Sequence, residues 1–119
     1  MEQMVATNNA DADWTVLEGP TPTGKFPARG RMGDETIVVF RTKHGYRGTS
    51  KSCPHMLATM LMAELAADET MVRCPLHVFT FRLSDGKGVN CPGFRVDVYE
   101  VKETDDRLLA RPANAPTAR

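Results

Sequence analysis

Neither sign of charge is in excess: 15 Lys and Arg balance 15 Asp and Glu, leaving the chain formally neutral at pH 7. Neutralising a run of phosphates needs a basic arm or stripe, and none is visible, so nucleic acid is not an expected partner. Long apolar runs are missing too. The least polar stretch, Met56 to Ala67, is interrupted by Thr59 and Glu64 and falls well short of the roughly 20 residues a spanning helix needs. No membrane crossing is expected. Met1 to Asp13 is polar and acidic and lacks a basic segment followed by an apolar one, so no secretory signal is read there and a cytoplasmic location is the expectation. Cysteine is scarce and odd in number, at 3. Such a set cannot close a disulfide framework, and in a reducing compartment thiols serve more often as ligands or reactive groups than as staples.

What is present suits one folded unit. A chain of 119 residues, 41% apolar, has room for one domain with a core and no second. Both ends read as disordered tails, 1–13 with its Asn8-Asn9 and alternating Ala and Asp, and 111–119 with its Pro, Ala and Thr; neither buries enough apolar surface to offset the entropy of ordering. The domain is therefore expected over residues 14–110. Gly and Pro recur at short intervals within it, leaving room for strands and little for helices. Trp14 to Leu17, Thr36 to Arg41, Met71 to Arg73, Val78 to Leu83 and Phe94 to Val101 are rich in strand-forming residues. In the last of these, alternation puts Phe94, Val96 and Val98 on one face and Arg95, Asp97 and Tyr99 on the other. Lys43-His44-Gly45 and Ser84-Asp85-Gly86 supply turns with positive φ. Leu57 to Asp68 stands apart, with helical spacing of Leu57, Leu61 and Leu65, and reads equally as a short helix or a loop.

The chemistry lies in two short segments, Cys53-Pro54-His55 and Cys74-Pro75-Leu76-His77, which hold four of the six Cys and His residues. Each contains a proline, whose fixed φ stiffens a loop that must present two ligands. That concentration points to one metal centre made by Cys53, His55, Cys74 and His77. Structural zinc more often pairs Cys with Cys and His with His. Mixed pairs on two loops suit a 2Fe-2S centre of the Rieske type, in which two His replace two Cys on one iron.

On these residues the chain resembles Rieske ferredoxins and Rieske-type small subunits. The likeness extends upstream to Ile37-Val38-Val39-Phe40-Arg41 and a Gly turn, and downstream to Phe79-Thr80-Phe81-Arg82-Leu83, Asp85-Gly86 and the proline-bearing Cys91-Pro92-Gly93. It implies an all-β fold, an antiparallel β-sandwich base with a small cluster-binding lobe over about residues 53–93, and one 2Fe-2S cluster as cofactor. The centre would be neutral when oxidised and singly negative when reduced, against doubly and triply negative with four thiolates, which raises the potential. The resemblance also implies an electron-transfer component, not an enzyme alone: beyond the four ligands only His44 remains, so a mononuclear 2-His-1-carboxylate iron site cannot be built. The expected role is a soluble one-electron carrier between a flavin-dependent reductase and the terminal oxygenase of a dioxygenase-type system. Alternatives are the small subunit of an assimilatory NAD(P)H nitrite reductase, partnered by its large subunit, and a zinc-stabilised binding module.

Departures from the family carry expectations of their own. Ala58 and Leu76 stand where respiratory Rieske proteins place a disulfide bridging the two loops. Phe79 and Phe81 stand where Ser and Tyr hydroxyls stabilise the reduced state, so the potential is expected near ~−150 mV, the bottom of the Rieske range. Val78 replaces a frequent Gly, and Met56-Leu57 replace polar or Gly residues. Met56, Leu57, Val78 and Phe79 flank the two histidines as an apolar collar suited to transient docking. Cys91 is expected to pack as a small hydrophobe, and His44 to be exposed.

Overall fold

The longest strand forms where the sequence is rich in β-branched and aromatic residues, and the computed structural model describes residues 14–51, 59–74, 79–91 and 93–113. In chain order they are β1 (Thr15–Val16), β2 (Ala28–Met32), β3 (Glu35–Thr42), β4 (Gly45–Ser50), β5 (Glu64–Leu65), β6 (Met71–Arg73), β7 (Thr80–Arg82), β8 (Val98–Thr104) and β9 (Arg107–Pro112). A six-stranded antiparallel sheet, β1-β9-β8-β4-β3-β2, makes the base, and a three-stranded sheet, β5-β6-β7, makes the lobe. The all-β expectation holds. Among the described residues the only helical segment is a 3-10 turn at Met60–Met62, and no helix is long and apolar enough to cross a membrane.

Successive side chains of a strand point to opposite faces, and β3 uses both. Ile37 and Val39 join Leu17, Tyr99, Val101, Leu108 and Ala110 in one core. Val38 and Phe40 join Val98 and the lobe residues Met60, Val72, Cys74, Phe81 and Leu83 in the other. The sheet curls around the first core, because Glu18 and Arg31 exchange backbone hydrogen bonds at 3.0 and 2.9 Å and so join its two outer strands. The second core ties the lobe to the base.

The turns at Gly45 and Gly86 have the expected positive φ, 108° and 81°. The turn between β8 and β9 lacks glycine: Asp105 and Asp106 adopt φ of 54° and 64°, the double left-handed geometry of a two-residue hairpin.

Four expectations are changed by the structure. The proposed strand from Phe94 is two structures, since Phe94 and Val96 bond to Gly88 and Gly86 in the lobe, whereas β4 pairing begins at Asp97 and Val98. Tyr99, expected on a polar face, is 6% exposed because that face of β8 looks into the core enclosed by the curled sheet. Leu57 to Asp68 is not an α-helix over its described part, 59–68. Thr59 caps the 3-10 turn with its hydroxyl 3.1 Å from the Leu61 N–H, and Ala63 returns to extended backbone at φ −72°, ψ 155°. Leu65 then pairs with Val72 as the lobe's edge. Finally, β9 reaches Pro112 and the Ala113 N–H donates to Val98 O at 2.9 Å, so ordered structure passes the expected limit at Ala110.

Candidate metal centre

Two backbone hydrogen bonds bracket the segments that carry the expected ligands. Lys51 O accepts the Met60 N–H at 2.8 Å, and Phe79 O accepts the Cys74 N–H at 2.8 Å. The first closes the base of the segment containing Cys53 and His55. The second continues the β6–β7 ladder beyond the Arg73↔Thr80 pair, and His77 falls in the sequence between its two partners. Met60 and Cys74 pack in the same core, so both segments are rooted in one lobe. Of the four expected ligands, Cys74 is described; Cys53, His55 and His77 lie outside the described residues, as do Met56, Leu57, Ala58, Leu76 and Val78.

Cys74 is a free thiol, 2% exposed, fixed at the end of a hydrogen-bonded strand. A buried soft donor held at a hairpin base, with an imidazole three residues on, is a fitting half-site for an iron-sulfur cluster. Cys53 and His55 offer the same donor pair from the other segment.

Residues 84–91 form a third segment that braces the hairpin. Both backbone groups of Thr80 point toward it: the Val89 N–H donates to Thr80 O at 2.7 Å, and the Asn90 side-chain carbonyl accepts the Thr80 N–H at 2.9 Å. Asn90 was not among the residues expected to matter, and its position just before Cys91-Pro92 is the one signal for it in the sequence. Cys91 packs as the small hydrophobe expected, 4% exposed, and burial pushes its thiol pKa up. Gly88 permits this approach, since a Cβ there would lie 2.6 Å from Cys91 Sγ. The Ser84-Asp85-Gly86 turn is pinned by the Asp85 carboxylate, which accepts from Arg82 Nε at 3.1 Å and from the Lys87 N–H at 3.0 Å. The Arg82 hydrogen bond holds the Asp85 carboxyl below its ordinary range.

The two phenylalanines differ. Phe81 is fully buried in the core, whereas Phe79 is half-buried and stacks on Phe94 with ring centroids 6.0 Å apart. Neither offers a hydrogen-bond donor. His44 is exposed, as expected, with Nε2 2.9 Å from Asp68 O.

Comparison with known proteins bears on the whole unit. The family model described as the Rieske [2Fe-2S] domain matches residues 15–102, which include both Cys-His segments. A nitrite reductase [NAD(P)H] of Emericella nidulans is 28% identical over 83 residues, 64% of this chain. The chain spans only 8% of the length of that curated relative. Among solved structures, the ferredoxin of carbazole 1,9a-dioxygenase from Nocardioides aromaticivorans IC177 is 25% identical, with a TM-score of 0.62 over 72% of this chain and 84% of that one. A protein of Mycobacterium tuberculosis assigned as an NADH-dependent nitrite reductase small subunit has a TM-score of 0.66 at 20% identity, over 83% of this chain and 93% of that one. The last likeness is one of fold. With the family match across most of the chain and a buried thiol at the base of the second hairpin, the chain belongs to the Rieske [2Fe-2S] domain family and takes one Rieske-type 2Fe-2S cluster as its cofactor.

Proposed function

We propose that this chain is a soluble, cytoplasmic one-electron carrier that receives electrons from a flavin-dependent reductase and passes them to a terminal oxygenase. The observation that carries this reading is the rooting of both Cys-His segments in one lobe core through Met60 and Cys74, on a fold that matches most of a free-standing ferredoxin. When bound, the cluster supplies a one-electron couple. Cys53, His55, Cys74 and His77 would hold it, one cysteine and one histidine from each segment. The imidazoles each keep a second ring nitrogen that can hold or release a proton, which links electron uptake to pH. Cys74 is buried, and the brace from Val89 and Asn90 ties down Thr80 at the base of the second hairpin. In this reading the domain covers residues 14–110 and the β9 extension to Pro112.

Anaerobic dithionite titration of the purified protein tests the proposal. One electron per chain, with bleaching of a red-brown colour, is the expected result, and a colourless zinc protein that takes up no electrons would overturn it. A second reading, the small subunit of a nitrite reductase, is favoured by the 28% identity to the Emericella enzyme. Isolation as a tight complex with a large siroheme- or flavin-bearing subunit would support that reading, and isolation as a free carrier would support the first.

A further inference from the structure

The bracing segment carries two cations in an arrangement the fold itself does not favour. Lys87 and Arg95 face each other as an isolated antiparallel pair. Hydrogen bonds flank the pair on both sides, Gly88 N to Phe94 O at 3.0 Å and Val96 N to Gly86 O at 2.9 Å. That pattern defines the closer of the two antiparallel pair types, with Cα atoms about 4.5 Å apart. Like charges set directly opposite one another destabilise a ladder. Both residues are exposed, and among the described residues neither head group has an ion-pair partner. Asp85, the acid that feels Lys87, is already engaged by Arg82.

Lys87, Gly88, Gly93, Phe94 and Arg95 line one groove, so both cations border it. Gly93 leaves space beside it, since a Cβ there would meet nothing within 4 Å. Phe94, 38% exposed, forms a wall and stacks on Phe79. Phe79 O in turn holds the Cys74 N–H. The groove is therefore joined by direct contacts to the hairpin that carries Cys74 and His77. Because the chain is neutral overall, this local charge is not part of a general basic field.

We infer that the Lys87–Arg95 groove is the docking point for carboxylates on an acidic surface of the redox partner. The inference rests on the electron-carrier reading and adds to it the charge of the partner. Carboxylates seated between the two cations relieve their mutual repulsion, and the interaction steers encounter most strongly at low ionic strength. Two cations are too few to track a phosphate backbone, so a protein partner fits better than a nucleic acid.

The test uses the reduced holoprotein and two small oxidants, anionic hexacyanoferrate(III) and cationic hexaammineruthenium(III), mixed in a stopped-flow instrument at ~10 mM and ~500 mM ionic strength. In each case the cluster loses one electron and the oxidant gains it, with no atom transferred. Oxidation by the anion is expected to slow severalfold as salt rises. Lys87→Gln/Arg95→Gln should lower the low-salt anion rate severalfold, raise the ruthenium rate and leave the high-salt rates unchanged. Its melting temperature should equal or exceed that of the unmodified protein, since a repulsion has been removed. Arg29→Gln/Arg31→Gln, exposed on β2, makes the same change in net charge and should alter the low-salt rates much less. Equal effects from the two double variants, absence of any salt dependence, or a clear loss of stability in the first variant would overturn the inference. Failure of the electron-carrier reading is separately visible, as a protein that takes up no electron before mixing.

Discussion

Asn90 and Thr80 are joined through a side chain on one partner and the backbone on the other: Asn90 Oδ1 accepts the Thr80 N–H at 2.9 Å. Thr80 opens β7, three residues after His77, and its other backbone group accepts from Val89. The bracing segment thus holds the base of the hairpin through Thr80.

Removing that acceptor has a defined consequence. Asn90→Ala leaves the Thr80 N–H to water and is expected to cost about 1 kcal/mol. Asn90→Asp, which keeps an acceptor oxygen, should recover most of it. The loss of visible absorbance on heating reads both variants, and identical melting of the Ala variant and the unmodified protein would show that the contact contributes nothing.

The ligand assignment separates the cysteines from one another. Cys53→Ser, His55→Ala, Cys74→Ser and His77→Ala should each abolish the normal visible spectrum. Cys91→Ala should retain both irons at a cost of about 1 kcal/mol for the lost packing. Iron and sulfide analysis of the purified variants decides, and a normal spectrum in any of the first four would mean that the ligands are others.

The midpoint potential is expected near ~−150 mV, because Phe79 and Phe81 present no hydroxyl to a reduced, negative centre. Phe79→Ser, at a half-buried position, restores a donor there. One hydrogen bond worth about 1 kcal/mol in the reduced state corresponds to a rise of ~40 mV for a single electron. A clearly positive midpoint in the unmodified protein would contradict the argument.

Tyr99 gives the fold an alkaline limit. Burial first, then the charges of Glu35 and Asp97, push its pKa up to about 12, against about 10 in an unfolded chain. A raised pKa favours the neutral phenol in the folded state, so this contribution is complete below pH ~10 and is lost as pH rises through about 12. At most roughly 2–3 kcal/mol is involved. Tyr99→Phe should therefore melt with a flatter pH dependence than the unmodified protein above pH ~10. Parallel profiles would refute the assignment.

The candidate site is proposed from the sequence because metal ligation demands particular side chains at particular spacings, and Cys53, His55, Cys74 and His77 have that pattern; of the four, the described residues place Cys74, buried at the end of β6. The strand in β3 is legible for a similar reason, since Ile37-Val38-Val39-Phe40 has few other stable uses. The strands β2 and β9 are not. Ala28–Met32 contains Arg-Gly-Arg, and Arg107–Pro112 begins and ends with residues typical of a tail. Each is held by its neighbours, β2 by β3 and β9 by β8 and β1. The Asp105-Asp106 turn hides as well, because its left-handed backbone is more often announced by Gly or Asn.

Composition and local pattern by themselves pointed to a β protein with two Cys-His segments suited to a Rieske cluster, since propensity and donor chemistry act over a few residues. Only the tertiary structure decided that Tyr99 is buried, that Leu61 and Leu65 belong to a turn and an edge strand, and that Lys87 confronts Arg95. Those outcomes depend on which strands become neighbours. Pairing is a relation between distant parts of the chain, and no single segment contains it.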